Sequence, residues 1–288
     1  MTGGEMGSRK LSRSLGALLA AAVVLLALPP SEVVSIPATM LSAVATTGAT
    51  PVNGPIATPV IGPVGAAIGE SLIHSRVLNP ASGRYESLDA NIASTAVLIG
   101  DSQSAGAAGV RAADTWVERG LSFCGYAVKF VGASGTGFTR SSARFGNYPD
   151  ALEEGQMVLP HGNPALVVFQ GGGNDAAAGA TDAEILTNAG RLLRGLRESY
   201  PNSQYLFIGT LARGGTAGGR RTEVDTLLAG FAHRNGADFI SAGDWLTRYG
   251  LSNKMADGVH LTLEGHQILT KVLASRLKDL KLQGPGLQ

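Results

Sequence analysis

Thr95-Ala96-Val97-Leu98-Ile99-Gly100-Asp101-Ser102-Gln103-Ser104 is an apolar, β-branched run that stops at a glycine and gives way to small polar residues. The run Thr95–Ile99 reads as a strand buried on both faces, the property of a parallel sheet covered by helices. Gly100 permits a sharp turn, and a helix starting just after it aims unpaired N–H groups at whatever occupies that point. A serine at the carboxyl end of such a strand stands where open α/β sheets hold their ligands. The same residues serve as an ordinary helix N-cap, through Asp101 or Ser102. The stretch alone therefore leaves nucleophile and cap as alternatives.

On either side of the next segments, strands and helices alternate. A helical pattern around Ala112–Arg119 leads to a strand at Tyr126–Val131, which runs into Gly132-Ala133-Ser134-Gly135-Thr136-Gly137. Pro164–Phe169 is a continuous apolar strand ending in Gln170-Gly171-Gly172-Gly173-Asn174-Asp175. An amphipathic helix spans Thr181–Ser199, with Thr181 or Asp182 as cap and Pro201 as its stop. A strand at Gln204–Gly209, a glycine-rich loop Ala212–Gly219, a helix from Thr222 to Arg234, a short strand at Ala237–Ile240 and a closing helix Thr262–Leu280 complete the pattern. This is the signature of βαβ units, hence an α/β domain with a central parallel sheet, expected over residues 91–282.

The N-terminal part has a different character. Arg9, Lys10 and Arg13 precede an uninterrupted apolar run from Leu15 to Leu28 that ends at Pro29-Pro30. The run is short for a membrane span and fits the apolar core of an export signal. Residues 1–30 are read as a signal peptide or an N-terminal membrane anchor, with membrane association through residues 15–28 in the second case. Ala43-Val44-Ala45 has the small-x-small form of a cleavage site but lies far from the apolar core. Residues 31–90, rich in Pro, Thr, Ala, Gly and Val, read as a flexible spacer, with room for one short helix over Gly65–Leu78. The expected location is secreted or extracytoplasmic.

Composition narrows the function. Of 288 residues only 16% are charged and the formal net charge is +1, so nothing favours nucleic acid as a partner. The single cysteine, Cys124, excludes an intramolecular disulfide and any cysteine-rich metal site, and reads as a buried small hydrophobe. Asp257, His260 and His266 lack the regular spacing of metal ligands, so no metal or cofactor is expected. His161 and His233 read as surface or helix-end residues, and Trp116 and Trp245 as core. Arg220-Arg221, beside the glycine-rich loop, read either as an anion site or as the plain start of a helix.

Asp257-Gly258-Val259-His260 lies just before the closing helix. Histidine is the usual general base near neutral pH, and a carboxylate on its other ring nitrogen fixes tautomer and orientation. Gly258 allows the turn that returns Asp257 to the imidazole. With Ser102 this supplies a nucleophile, a base and an orienting acid. An N-cap and a surface histidine are the bland alternative. Asn174 and Gly135, together with the Ser102 N–H, supply donors for a developing oxyanion; a plain Asx-turn is the alternative for Asn174.

Taken together these blocks resemble the SGNH hydrolases of the GDSL esterase/lipase superfamily. The resemblance rests on Gly100-Asp101-Ser102-Gln103-Ser104, on Gly172-Gly173-Asn174-Asp175 and on Asp257 with His260, over about Ala93–Leu280. The family's glycine block falls best on Ser134-Gly135, with Gly132 and Gly137 as alternatives; the asparagine often found before it is replaced near Phe130. The resemblance implies a three-layer α/β/α, flavodoxin-like fold. It also implies Ser102 as nucleophile, His260 as base, Asp257 as orienter, and Gly135 and Asn174 in the oxyanion hole. The implied activity is hydrolysis of acyl or acetyl esters of carbohydrate, lipid or cell-envelope material, or transfer of the acyl group to a sugar hydroxyl by the same residues.

Overall fold

The computed structural model describes residues 76–287. The segments expected to be a signal or anchor (residues 1–30) and a spacer, as far as residue 75, lie outside the described residues.

Seven strands are present among the described residues: β1 (Arg76–Asn79), β2 (Arg84–Ser87), β3 (Thr95–Ile99), β4 (Ala127–Phe130), β5 (Leu166–Gln170), β6 (Gln204–Ile208) and β7 (Asp238–Ile240). The helices are α1 (Ser102–Ala105), α2 (Trp116–Phe123), α3 (Tyr148–Glu153), α4 (Gly173–Ala177), α5 (Asp182–Ser199), α6 (Gly215–Gly218), α7 (Arg220–Arg234), α8 (Trp245–Arg248) and α9 (Leu263–Asp279). Strands β3 to β7 form one sheet in the order β4-β3-β5-β6-β7, and each neighbouring pair is parallel.

Every residue of β3 and of β5 is buried, as their unbroken apolar runs require of the two strands at the sheet's centre. Along them, side chains alternate between two cores. Ala96, Leu98, Leu166 and Val168 pack with Trp116 and Leu121 of α2 and with Leu269, Leu273 and Leu277 of α9. Val97, Ile99, Val167 and Phe169 pack on the opposite face with Leu152 of α3, Leu192 and Leu196 of α5, and Leu228 of α7. Two helical layers therefore sandwich the sheet. Strand β4 is an edge: its residues alternate between exposed and half-buried, and it carries Lys129 outward.

The strand order fixes where a site forms. The chain leaves β3 for β4 on one side, then crosses to β5 on the other, so the crossovers diverge between β3 and β5. That divergence opens a crevice outside the carboxyl ends of these two strands, which is where doubly wound sheets bind ligands. Ser102 follows β3 and Asn174 follows β5. Gly132, after β4, lets the chain pass against the end of β3: a Cβ there would lie 2.0 Å from the Gly100 carbonyl oxygen.

Strands β1 and β2 and helix α3 depart from the sequence expectation, as do the single-turn helices α6 and α8. The antiparallel hairpin β1–β2 lies within residues assigned to the spacer, and Arg76–Leu78, assigned to a short helix, are strand. Its polarity is inverted, with Glu86 fully buried and Leu78 and Tyr85 facing solvent, so no hydrophobic pattern announces it. Glu86 accepts from Asn79 Nδ2 at 3.0 Å and pairs with His161 Nδ1 at 2.9 Å, while Arg84 Nη1 donates to the Gly195 carbonyl of α5 at 2.9 Å. His161 is thus a hairpin clasp and not a free surface residue. Helix α3 was hidden by Pro149, which sits in its first turn where a missing N–H costs nothing. The long helix α5 has the expected cap: Thr181 and Glu184 form a reciprocal capping box.

Candidate active site

Asp101 caps α1, its side chain accepting from the Gln103 N–H at 2.9 Å, and this sets Ser102 at the first helical position. Cap and nucleophile are thus compatible readings carried by adjacent residues. The Ser102 Oγ lies 2.9 Å from His260 Nε2, although 158 residues separate them. His260 Nδ1 lies 2.7 Å from Asp257 Oδ2. An ionised carboxylate only accepts, so Nδ1 carries the ring proton and Nε2 is left to accept from the serine hydroxyl. The other Asp257 oxygen accepts the N–H groups of Val259 at 3.0 Å and His260 at 2.8 Å. The bond to the His260 side chain, then these two backbone bonds, hold the Asp257 carboxyl down at about 2.

The loop carrying Asp257 and His260 is closed by its own backbone, with the Ala256 N–H donating to the His260 carbonyl at 2.8 Å and Gly258 at a φ of +79°. Gln103 then joins it to the serine. Its Nε2 donates to the Val259 carbonyl at 3.1 Å, and its Oε1 accepts from Trp116 Nε1 at 3.4 Å. Sequence reasoning missed this residue, which stands beside Ser102 but whose partners lie far along the chain.

Asn174 and Asp175 act together on the loop that follows β4. Asn174 Nδ2 donates to the Thr136 carbonyl at 2.8 Å, and its second amide hydrogen has no partner among the described residues. Asp175 is fully buried and accepts from the N–H groups of Phe138 at 3.0 Å, Thr139 at 2.7 Å and Arg140 at 3.2 Å, and from the Thr139 hydroxyl at 2.7 Å. It too went unassigned from sequence, because its partners belong to another block. Asn174 and Ser102 line one cleft, with Gly173, Arg221 and Val259 around them.

Among the three glycines of the loop, Gly137 donates its N–H to the Arg140 carbonyl at 2.9 Å, so that donor is engaged. Gly132 is occupied with the close passage against Gly100. Gly135, at a φ of +78°, is exposed, and its N–H makes no hydrogen bond with the described residues, but it does not line the cleft around Ser102. The Ser102 N–H likewise has no partner among the described residues.

The remaining candidates fall elsewhere. Cys124, Trp116 and Trp245 are buried in the core beneath α2 and α9, with the two indoles edge to face at 5.4 Å. His266 is buried on α9, where its Nδ1 accepts the Trp116 N–H at 3.0 Å, and burial lowers its pKa to about 4. Among the described residues no group of three His, Cys, Asp or Glu side chains is arranged to hold a metal ion. Nor is any described helix long and apolar enough to cross a membrane.

Comparison with known proteins bears on the fold and the family. No curated protein matches the chain. Among solved structures, an active-site mutant of a family two carbohydrate esterase from Clostridium thermocellum superposes with a TM-score of 0.54 at 16% identity, covering 68% of this chain and 66% of that one. A family two carbohydrate esterase with a carbohydrate-binding domain from Corynascus thermopiles (Myceliophthora fergusii) gives 0.54 at 16% identity, covering 69% and 70%. A member of the lipolytic G-D-S-L family from Veillonella parvula gives 0.50 at 15% identity, covering 65% of this chain and 97% of that one. The chain thus spans about two thirds of the length of the carbohydrate esterases, and these likenesses establish the fold. The sequence pattern of the GDSL-like lipase/acylhydrolase family matches residues 98–268, more than half of the chain. With that match, on the sheet and crevice described above, the chain belongs to the GDSL-like lipase/acylhydrolase family and is an ester hydrolase of the SGNH type.

Proposed function

We propose that the chain is a serine esterase that cleaves acyl or acetyl groups from extracytoplasmic carbohydrate, lipid or cell-envelope substrates. The observation that carries the mechanism is the hydrogen-bonded line from Ser102 Oγ through His260 to Asp257. Ser102 Oγ attacks the ester carbonyl while His260 Nε2 takes its proton. Asp257, ionised well into acid, stabilises the imidazolium that forms. The tetrahedral oxyanion is received by the Ser102 N–H and the second amide hydrogen of Asn174, with Gly135 outside the cleft that holds them. His260 returns the proton to the departing alcohol, leaving an acyl-serine. Water, activated by the same imidazole, then releases the acid and restores the hydroxyl. No step calls for a cofactor.

Hydrolysis is favoured over transfer to a sugar hydroxyl by the openness of the base. The His260 side chain is 23% exposed and that of Asp257 49%, so water reaches the acyl-serine. The carbohydrate esterases among the structural neighbours support an acylated sugar as substrate, and the apolar run at residues 15–28 supports export or anchoring. The test is hydrolysis of p-nitrophenyl acetate and longer esters by the purified chain and by Ser102→Ala, with and without EDTA. Activity that survives EDTA and is lost in Ser102→Ala is expected; activity retained in the variant refutes the assignment of the nucleophile.

A further inference from the structure

We propose that Arg221 selects the substrate, its guanidinium engaging an anionic group (carboxylate, phosphate or sulfate) carried by the ester that enters the Ser102 cleft. The inference rests on the esterase reading of that cleft and adds to it a class of substrate. It starts from an anomaly at the N-terminus of α7. Arg220 and Arg221 occupy the first two positions of a 15-residue helix whose cap, Gly219, offers no side-chain acceptor. Cations are disfavoured there, since the macrodipole places positive charge at that end.

Arg220 is compensated. Its Nη2 lies 2.6 Å from Asp182 Oδ1 and donates to the Ala180 carbonyl at 2.8 Å, and its Nη1 lies 3.3 Å from Glu223 Oε2. Arg221 is not: it makes no ion pair and no hydrogen bond with any described residue. Half-buried, it is also, among the described residues, the one cationic residue lining the cleft that holds Ser102 and Asn174. A Cβ at position 173 would lie 3.5 Å from its Nη1, so the guanidinium stands beside Gly173, the residue before Asn174.

Asp101, which is 4% exposed, is an acid that feels the charge of Arg221. Attraction to Arg221 is the smallest of the influences on that carboxyl, and no ion pair joins the two. A guanidinium presents five donors in a fork that matches carboxylate and oxyanion groups. Partly removed from water, with its donors unspent and the helix N-terminus behind it, Arg221 is arranged to receive an anion from outside the protein.

The test uses two matched pairs of esters on the full chain. In p-nitrophenyl hemisuccinate against p-nitrophenyl butyrate the charge lies on the acyl side; in p-acetoxybenzoate against its methyl ester it lies on the alcohol side. The readout is the charged-to-neutral ratio of kcat/KM. Arg221→Gln is expected to lower that ratio in one pair by about tenfold or more, chiefly through KM, as expected for loss of a charge-assisted bidentate contact. Added salt should erode the ratio in the wild type and not in the variant. Arg220→Gln, whose partners lie away from the cleft, should leave the ratio alone. Calorimetric binding of p-acetoxybenzoate and its methyl ester to Ser102→Ala, with and without Arg221→Gln, reads the same contact without turnover. Arg221-dependent binding of the anion, where the wild type cleaves neither pair of esters, would retain this inference and remove the esterase reading. A ratio unchanged in both pairs, whether or not absolute rates fall together, would overturn the inference; a common fall would mean that Arg221 serves Asp101 instead.

Discussion

Replacing Asp101 by Asn tests whether the acid beside the serine is held at an energetic cost. Asp101 is buried, and its carboxyl is pushed up from 3.8 to about 6, burial outweighing the hydrogen bonds from the Gln103 N–H and the Gln170 side chain. Between these two values the folded chain binds more protons than the unfolded one, so stability falls as pH rises from about 4 to about 6 and is level above that. The difference between the two pKa values amounts to about 3 kcal/mol, of which about 2 kcal/mol falls between roughly pH 4 and pH 7. Asparagine retains an oxygen to accept the Gln103 N–H and caps a helix as well as aspartate does. It carries no charge at any pH. The stability of Asp101→Asn minus that of the wild type should therefore rise by about 2 kcal/mol over that range, a relative gain of about 4–8 °C in Tm for a domain of this size. Asp225, also raised to about 6 by burial, titrates in both proteins and cancels in the difference. The assay is urea or thermal unfolding of both proteins at several pH values. A difference flat with pH would refute the claim that burial holds this carboxyl up.

Three further outcomes follow from the same geometry. Asp257→Asn should lower kcat by about 10²–10⁴-fold with little change in KM, since the amide cannot stabilise the imidazolium; steady-state kinetics on p-nitrophenyl acetate measures it. Asp175→Asn turns an amide N–H toward the N–H donors of the Phe138–Arg140 segment, at about 1–3 kcal/mol for each donor left unsatisfied; a lower Tm is expected, together with reduced kcat because the oxyanion loop loses its anchor. Gly132→Ala would set a methyl group 2.0 Å from the Gly100 carbonyl oxygen, a backbone atom that cannot swing aside; the variant should unfold at markedly lower temperature, and an unchanged Tm would show that the two segments do not pass so closely.

The candidate site was largely readable because its parts are local. The Gly100–Ser104 turn, the Gly172–Asp175 turn and the Asp257–His260 loop each carry their signal within a few residues. What the sequence could not show were contacts whose two halves lie far apart: Gln103 with Val259, Asp175 with the Phe138–Arg140 segment, and Arg221 with the cleft. Arg220 and Arg221 illustrate the limit. As neighbours they are equivalent in sequence, yet one is neutralised by Asp182 and Glu223 while the other lines Ser102's cleft with no ion pair among the described residues.

The sequence by itself determined the α/β class and the central strands, because an unbroken apolar run is stable only where helices cover both faces of a sheet. It also nominated the candidate residues for acyl chemistry, because nucleophilic and basic character lies in the side chains themselves. Only the tertiary structure decided the strand order, and with it the crevice between β3 and β5 where Ser102 and Asn174 meet. It alone recovered the β1–β2 hairpin from a segment read as spacer, since a buried Glu86 clasped by Asn79 and His161 inverts the usual pattern. The physical reason is common to both. Local propensity and hydrophobic period act over a few residues, whereas strand order and polar clasps are set by which distant segments satisfy one another's buried groups.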